Sequence, residues 1–175
     1  MAFDPKIHRR RSIRYEAYDY SQSGAYFVTI CTRNRECFLG HVVGATVELT
    51  KEGEIVQEDW INTPAHRPYV RLDQFVVMPN HFHGILFLEG KEGTARRAPT
   101  RFGKALPRSF AAIIGAFKSA VARRINQLHG TRDGPVWQCN YFEHIIRGDE
   151  SLSQIRRYIA NNPLNWASDP ENPDR

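Results

Sequence analysis

Two short apolar segments separated by a turn sequence constrain the fold of this chain more than any other feature. Residues 75–78 and 84–88 are rich in aromatic and β-branched side chains, and the Pro79-Asn80 pair between them is typical of a tight turn. The pattern predicts a β-hairpin whose second strand begins with two histidines.

These histidines, His81 and His83, bracket one bulky hydrophobic residue, Phe82. Because successive side chains of a strand point to opposite faces, we expect both histidines on one face, about 6 to 7 Å apart at Cβ, and Phe82 in the core. Two imidazoles placed in this way can hold one cation. Taken alone, however, a His-x-His pair is more often incidental than a set of metal ligands.

The remaining pattern predicts an α+β fold. The expected elements are a strand over 25–32, a weaker strand over 42–49, a helix after Gly53 that stops before Pro64, the hairpin, a helix capped by Ser109 that runs to Leu128, a strand over 136–146, and a last helix opened by a capping box of Ser151 and Gln154. This order predicts one antiparallel sheet with helices packed on it, of the ferredoxin-like kind.

Length and charge indicate one domain over 1–175 with a polyanionic partner. The chain has 24 Lys and Arg against 19 Asp and Glu, a net charge of +5. The excess is clustered in a basic N-terminal arm (1–20) and a basic flexible loop (89–108), which is typical of nucleic-acid binding, although such patches are often only solvated. Residues 168–175 are acidic and contain prolines, which predicts a disordered tail.

Cysteine usage and hydropathy narrow the class of protein further. The three cysteines form no C-x-x-C pair, so neither a disulfide framework nor a thiolate zinc site is indicated. No apolar run approaches the roughly 18 residues of a membrane span. We therefore expect a soluble cytoplasmic protein that has no membrane partner.

The last predicted helix carries a second group of polar side chains. Tyr158 and Asn162 are one helical turn apart and therefore neighbours. Pro163 disfavours helical geometry at Asn162, which predicts that the helix ends there, with the amide on a frayed turn. A tyrosine beside an apolar stripe is, without other observations, more often a half-buried core residue.

Together the histidines and the tyrosine indicate phosphoryl-transfer chemistry. A tyrosine hydroxyl, with a pKa of about 10, is a poor nucleophile at neutral pH and needs a polarised target. A divalent cation held by His81, His83 and the amide of Asn162 would polarise a phosphate oxygen and direct the scissile bond toward Tyr158. Attack would leave a phosphotyrosine that a strand hydroxyl can later displace without ATP.

Five sequence blocks occur in the order and spacing of a known family. They lie at residues 11–32, 77–83, 117–119, 136–147 and 158–166. In these blocks the chain resembles the single-tyrosine HUH transposases, and most closely the branch of REP-associated tyrosine transposases.

The resemblance implies an HUH motif on a central strand and a catalytic tyrosine, Tyr158, on a C-terminal helix. It implies that His81, His83 and Asn162 hold Mg²⁺ or Mn²⁺, although paired imidazoles more readily suggest zinc. By the same resemblance Tyr158 becomes joined to a DNA 5′ phosphate and leaves a free 3′ hydroxyl. The implied substrate is single-stranded or hairpin DNA of the REP type, cleaved during DNA transposition.

We expect basic side chains to bind the DNA phosphates, which would position the DNA without reading its sequence. The candidates are Arg9, Arg10, Arg11, Arg14, Arg96, Arg97, Arg101, Lys104 and Lys118. Family members include both single-chain and dimeric enzymes, so monomer and homodimer both stay open.

Two other functions also fit the sequence. The first is a hairpin-DNA-binding regulator that keeps the fold but does not cleave. The second is a metal-dependent phosphodiesterase that uses water as its nucleophile, in which the tyrosine is structural.

Overall fold

The computed structural model describes residues 23–89, 108–173 and 175. The helices and strands over these residues are, in chain order, β1 (Gly24–Cys31), β2 (Gly40–Val43), β3 (Thr46–Leu49), α1 (Lys51–Ile61), α2 (Thr63–His66), β4 (Val70–Val77), β5 (His81–Leu88), α3 (Phe110–Leu128), β6 (Phe142–Ile146) and α4 (Asp149–Asn161). Four strands form one sheet in the order β4-β5-β1-β6, and β2 pairs with β3 in a separate hairpin.

The predicted α+β fold is confirmed. Each neighbouring pair in the main sheet is antiparallel, and β4 and β5 form the hairpin expected around Pro79-Asn80. Because the chain leaves the sheet through helices after β1 and β5, the hairpin and β6 lie on opposite sides of β1, as in ferredoxin-like folds. This order makes β5 a central strand and β6 an edge strand.

Two strand boundaries differ from the expectation. Residues 42–49, predicted as one strand, belong to the two-stranded hairpin of β2 and β3, which turns at Gly44, whose φ of 61° favours glycine. Within 136–146 only Phe142–Ile146 is a strand, and the earlier part contributes one bridge between Trp137 and Thr32. Both segments have strand-like composition, but pairing decides where the strands lie.

The starts of α3 and α4 test the helix caps that the sequence predicted. Ser109 caps α3 as predicted, since its Oγ accepts a hydrogen bond from the Ala112 N–H at 3.3 Å. The capping box predicted at Ser151 is wrong, because α4 already begins at Asp149 after Gly148. Gly148 has a φ of 113°, a conformation that favours glycine and sets the direction in which α4 starts.

The main sheet is covered on both faces. Tyr26, Val28 and Ile30 of β1 pack into the larger core, which α1 and α3 close with Trp60 and Phe117. The other residues of β1 point to the opposite face, where a smaller cluster joins the sheet to α4. That cluster consists of Phe27, Ile85, Ile146 and Ile159. The strand alternation thus separates a mainly apolar face, which also carries Glu143 of β6, from the face that carries the histidines.

Some sequence predictions lie outside the described residues. These are the N-terminal arm, most of the 89–108 loop, and the basic residues Arg9, Arg10, Arg11, Arg14, Arg96, Arg97, Arg101 and Lys104. Among the helices that the structure describes, none is long and apolar enough to cross a membrane.

The packing around Gly84 gives a test of the fold. A Cβ at this position would lie 2.7 Å from ring atoms of both Phe82 and Trp60, so we expect Gly84→Ala to lower the free energy of unfolding by about 1 to 3 kcal/mol. At Gly115 in α3 a Cβ meets nothing within 4 Å, so Gly115→Ala should instead stabilise the protein by about 0.5 to 1 kcal/mol. Urea unfolding of both variants measures the difference, and a Gly84→Ala protein as stable as the wild type would contradict this packing.

Candidate active site

The predicted histidine pair lies at the start of β5, on the face covered by α4. His81 and His83 are both buried, their ring centroids are 4.5 Å apart, and Phe82 points into the opposite core. The placement expected from strand alternation is therefore confirmed. Burial lowers the pKa of each imidazole, for His83 well below its usual range, so both rings are neutral near pH 7.

Asn80 determines which nitrogen of His81 faces the site. The Asn80 amide donates to the carbonyls of Arg35 and Glu171, so its Oδ1 serves as an acceptor, 2.9 Å from His81 Nδ1. We therefore assign the imidazole proton to Nδ1, which leaves a lone pair on Nε2. That Nε2 faces another acceptor, Asn162 Oδ1, at 3.3 Å.

Asp169 adds a carboxylate to the same point. Ligand atoms of His81, His83 and Asp169 all lie within 4.8 Å of one another. The Asn162 amide donates to Asp169 Oδ2 at 3.2 Å, which keeps its own Oδ1 turned toward His81. Several lone pairs thus converge on one buried space, an arrangement that calls for a cation.

The last turn of α4 differs from the expectation of a frayed end. Asn162 keeps right-handed helical backbone angles, φ −59° and ψ −43°, although Pro163 follows it, and its side chain is buried. The hydrogen bond that the amide donates to Asp169 holds it inward and offsets the steric preference that Pro163 imposes. The site therefore includes the Asn162 side chain as predicted, but as a buried group.

Residues 168–173, within the segment for which the sequence predicts a disordered tail (168–175), lie against this site. Asp169 is only 5% exposed and accepts from the backbone N–H of Glu171 at 2.7 Å. Glu171 in turn forms an ion pair with Arg35 at 3.0 Å and accepts from the Cys31 thiol. Composition predicted disorder here because the segment is acidic and contains prolines, whereas polar contacts join it to Arg35 and Cys31, which are distant in the sequence.

Tyr158 projects from α4 beside the histidines. Its hydroxyl lies 3.3 Å from His83 Nε2, its ring is edge-on to Phe27, and it is 47% exposed. The other ring nitrogen of His83, Nδ1, is 2.8 Å from Thr29 Oγ1, which orients the imidazole. Burial of the phenol, with a smaller contribution from Asp169, raises the pKa of Tyr158, so the hydroxyl is protonated at neutral pH.

An ion pair fixes the helix that carries Tyr158. Arg156 forms two hydrogen bonds with Asp73 of β4, at 2.9 and 2.5 Å, while Ile159 is buried against the sheet. This bidentate geometry defines the rotation of α4 about its axis. Asp73 lies where the β4-β5 register shifts, between Leu72 and Phe75. Strand pairing sets such a shift, and the local sequence does not indicate it.

Lys118 is the one predicted DNA-binding residue among those that the structure describes. Its Nζ donates to the carbonyls of Gln138 and Cys139 at 2.6 and 3.2 Å, and burial lowers its pKa. It thus ties α3 to the segment before β6.

A cavity of about 420 Å³ opens beside the tyrosine. His83, Tyr158 and Asp169 contribute to its wall, together with residues of β1 and of the segment 138–142, which leads into β6. The candidate site therefore combines a buried group of metal-ligating atoms, a tyrosine hydroxyl at its edge and an open cavity beside it.

Fold and site together define an α+β protein with a histidine pair on a central strand and a tyrosine on the helix that covers it. No protein-family model matches the chain. An uncharacterized protein of Haemophilus influenzae is 40% identical over 176 residues, which cover 95% of both chains. A protein of the same organism named "Putative REP-associated tyrosine transposase" is 25% identical over 152 residues, 83% of this chain and 73% of the relative.

Among solved structures, a REP-associated tyrosine transposase bound to a REP hairpin superposes with a TM-score of 0.59 at 24% identity, over 89% of this chain and 73% of the other. The chain belongs to one family with the uncharacterized Haemophilus influenzae protein, and the resemblance to REP-associated tyrosine transposases predicted from its motifs is confirmed.

The bond between Asp73 and Arg156 makes stability depend on pH. The Arg156 hydrogen bonds hold the pKa of Asp73 below its ordinary value of 3.8, so this carboxylate contributes stability that is present above pH 3.8 and is lost as the pH falls through the lower, folded pKa. We expect Asp73→Asn to reduce the thermal stability at pH 7 and to remove part of its loss on acidification. Melting curves between pH 2 and 7 measure this, and equal acid sensitivity in both proteins would contradict it.

Proposed function

We propose that this protein is a metal-dependent DNA nuclease and strand transferase of the transposase class, with Tyr158 as its nucleophile. The observation that carries the proposal is the 3.3 Å separation of the Tyr158 hydroxyl from His83 Nε2, at the edge of a buried group of metal-ligating atoms. A tyrosine that served only in packing would not need to direct its hydroxyl toward such a group.

The donor set fits a divalent cation of the Mg²⁺ or Mn²⁺ kind. His81, His83 and Asp169 would hold it, and the amide oxygen of Asn162 faces the same point. The carboxylate, which the sequence did not reveal, supplies the oxygen ligand that these ions prefer, while the two imidazoles favour Mn²⁺ over Mg²⁺. When bound, the cation would supply positive charge that polarises a phosphate oxygen.

The reaction conserves the phosphodiester energy. The Tyr158 oxygen attacks the phosphorus, a tyrosine–phosphate bond forms, and the bond from phosphorus to the 3′ oxygen breaks. The phenol loses its proton during the attack, and the departing oxygen takes up a proton to become a 3′ hydroxyl. In the reverse sense a strand 3′ hydroxyl attacks the phosphotyrosine and releases Tyr158, whose phenoxide is a good leaving group.

Neighbouring residues prepare Tyr158 for this step. Because burial and Asp169 raise the pKa of the phenol, the hydroxyl is protonated at neutral pH before the attack. Phe27 packs edge-on against the ring, and the Arg156–Asp73 pair fixes α4, so the hydroxyl keeps its place next to the histidines. The exposed half of the side chain leaves room for a DNA strand.

We propose single-stranded or hairpin DNA as the substrate. The solved transposase of similar fold is bound to a REP hairpin, which supports this class of substrate here. The basic side chains predicted to bind phosphates stay candidates for that role: Arg9, Arg10, Arg11, Arg14, Arg96, Arg97, Arg101, Lys104 and Lys118.

Removal of the nucleophile gives the first test. With Mn²⁺ and a labelled hairpin from beside its own gene, we expect the wild type to form a covalent adduct on a denaturing gel and Tyr158→Phe to form none. Tyr69→Phe, which removes a hydroxyl outside the cavity lining, should form the adduct at the wild-type level. Cleaved DNA from both wild type and Tyr158→Phe without an adduct would favour water as the nucleophile, and binding without cleavage would favour a regulator.

Metal binding gives a second test that does not depend on activity. Titration of the DNA-free protein with Mn²⁺, followed by electron paramagnetic resonance, should detect binding by the wild type and none by His81→Ala with His83→Ala. Asn80→Ala leaves the proposed ligands in place but removes the acceptor that orients His81 and the donor to the carbonyls of Arg35 and Glu171, so we expect it to weaken Mn²⁺ binding by about 10- to 100-fold. His41→Ala, on the exposed hairpin, is the control, and undiminished binding by the double variant would contradict the site.

A further inference from the structure

The cavity beside Tyr158 contains features that strand cleavage alone does not require. It measures about 420 Å³, which lies within the range of cavities that enclose small ligands. Besides His83 and Tyr158, its wall includes Phe142 and two residues with side-chain amides, Gln138 and Asn140. A ligand in this cavity would therefore contact the nucleophile, an aromatic ring and hydrogen-bonding groups together.

Phe142 is an exposed aromatic residue on an edge strand. It lies opposite Thr29 in the register of β1 and β6, and its ring is edge-on to Phe27 with centroids 6.3 Å apart. Despite this contact the side chain remains 46% exposed. The contact with Phe27 therefore covers only part of the Phe142 ring, and the rest of the ring is open to the cavity.

The position of Phe27 relates Phe142 to the nucleophile. Tyr158 also packs edge-on against Phe27, with centroids 6.1 Å apart, so Phe27 lies in contact with both rings. A planar group stacked on Phe142 would then lie one ring away from the tyrosine hydroxyl. A nucleotide bound in this way would place its phosphate near Tyr158 and its base on Phe142.

The amides of Gln138 and Asn140 suit the edge of an unpaired base. Each amide offers both donors and an acceptor, the combination that reads the hydrogen-bonding edges of bases. Bases that are not paired can turn out of the strand, stack on aromatic side chains and expose these edges. A base inside a duplex cannot enter such a cavity, so the arrangement selects single-stranded DNA.

We propose that this cavity is a base-binding subsite, in which the base of a nucleotide next to the scissile phosphate stacks on Phe142 and bonds to Gln138 or Asn140. The inference rests on the proposed function, because it takes the phosphate beside Tyr158 as given. The segment 138–142, which leads into β6, would then help to determine the position of cleavage. The subsite contributes binding energy for single strands and discrimination among bases.

The test uses 2-aminopurine, a fluorescent base that stacking quenches, placed in turn at each single-stranded position of the hairpin oligonucleotide. In the non-cleaving Tyr158→Phe protein we expect strong quenching at one position. Adding Phe142→Ala should abolish that quenching and weaken binding by about 10- to 100-fold, as loss of one base–aromatic stack does. Phe142→Trp should restore both.

A matched control is Leu128→Ala, which truncates a hydrophobic side chain that is 50% exposed and does not line the cavity. It should leave quenching and affinity unchanged, and circular dichroism should give the same folded spectrum for all variants. Phe142→Ala with unchanged quenching and affinity would overturn the subsite. Because fluorescence needs no cleavage, absence of a covalent adduct with the wild type would contradict the proposed function without changing this readout.

Discussion

Lone pairs that face one another inside a protein are the constraint on which this site depends. The Nδ1 proton of His81 points to Asn80, so Nε2 faces the Asn162 oxygen without a proton between them, and the carboxylate of Asp169 lies beside them. Buried acceptors in such proximity repel, and a positive charge offsets that repulsion. The acceptors come from β5, α4 and the chain end, so the fold must hold these three parts together.

The two faces of the main sheet have different roles in holding the site together. On one face Phe82 and its neighbours pack against α1 and α3, which makes the central strand rigid. The other face carries His81 and His83, and α4 covers it with Ile159 as its buried anchor. Packing from both sides holds the histidine side chains of this central strand, which suits a metal site whose ligands must be placed to within about 0.5 Å.

The sequence predicted the parts of the site that depend on local periodicity. Strand alternation placed His81 and His83 on one face, and helical spacing made Tyr158 and Asn162 neighbours, because both patterns span only a few residues. Asp169 could not be found in this way. It lies in an acidic, proline-containing segment without periodicity, and its position depends on Asn162 and on Glu171, which pairs with Arg35, 136 positions away in the sequence. The Asp73–Arg156 pair escaped prediction for a similar reason, since a shift of strand register positions Asp73.

The proposed function depends most directly on the covalent joining of Tyr158 to DNA. Mass spectrometry of the adduct formed with Mn²⁺, after digestion by a nuclease and a protease, tests this step. We predict that the peptide containing Tyr158 carries the added mass of a 5′-phosphorylated nucleotide. The same mass on another peptide, such as the one with Tyr141, or a free 5′ phosphate with no modified peptide, would contradict it.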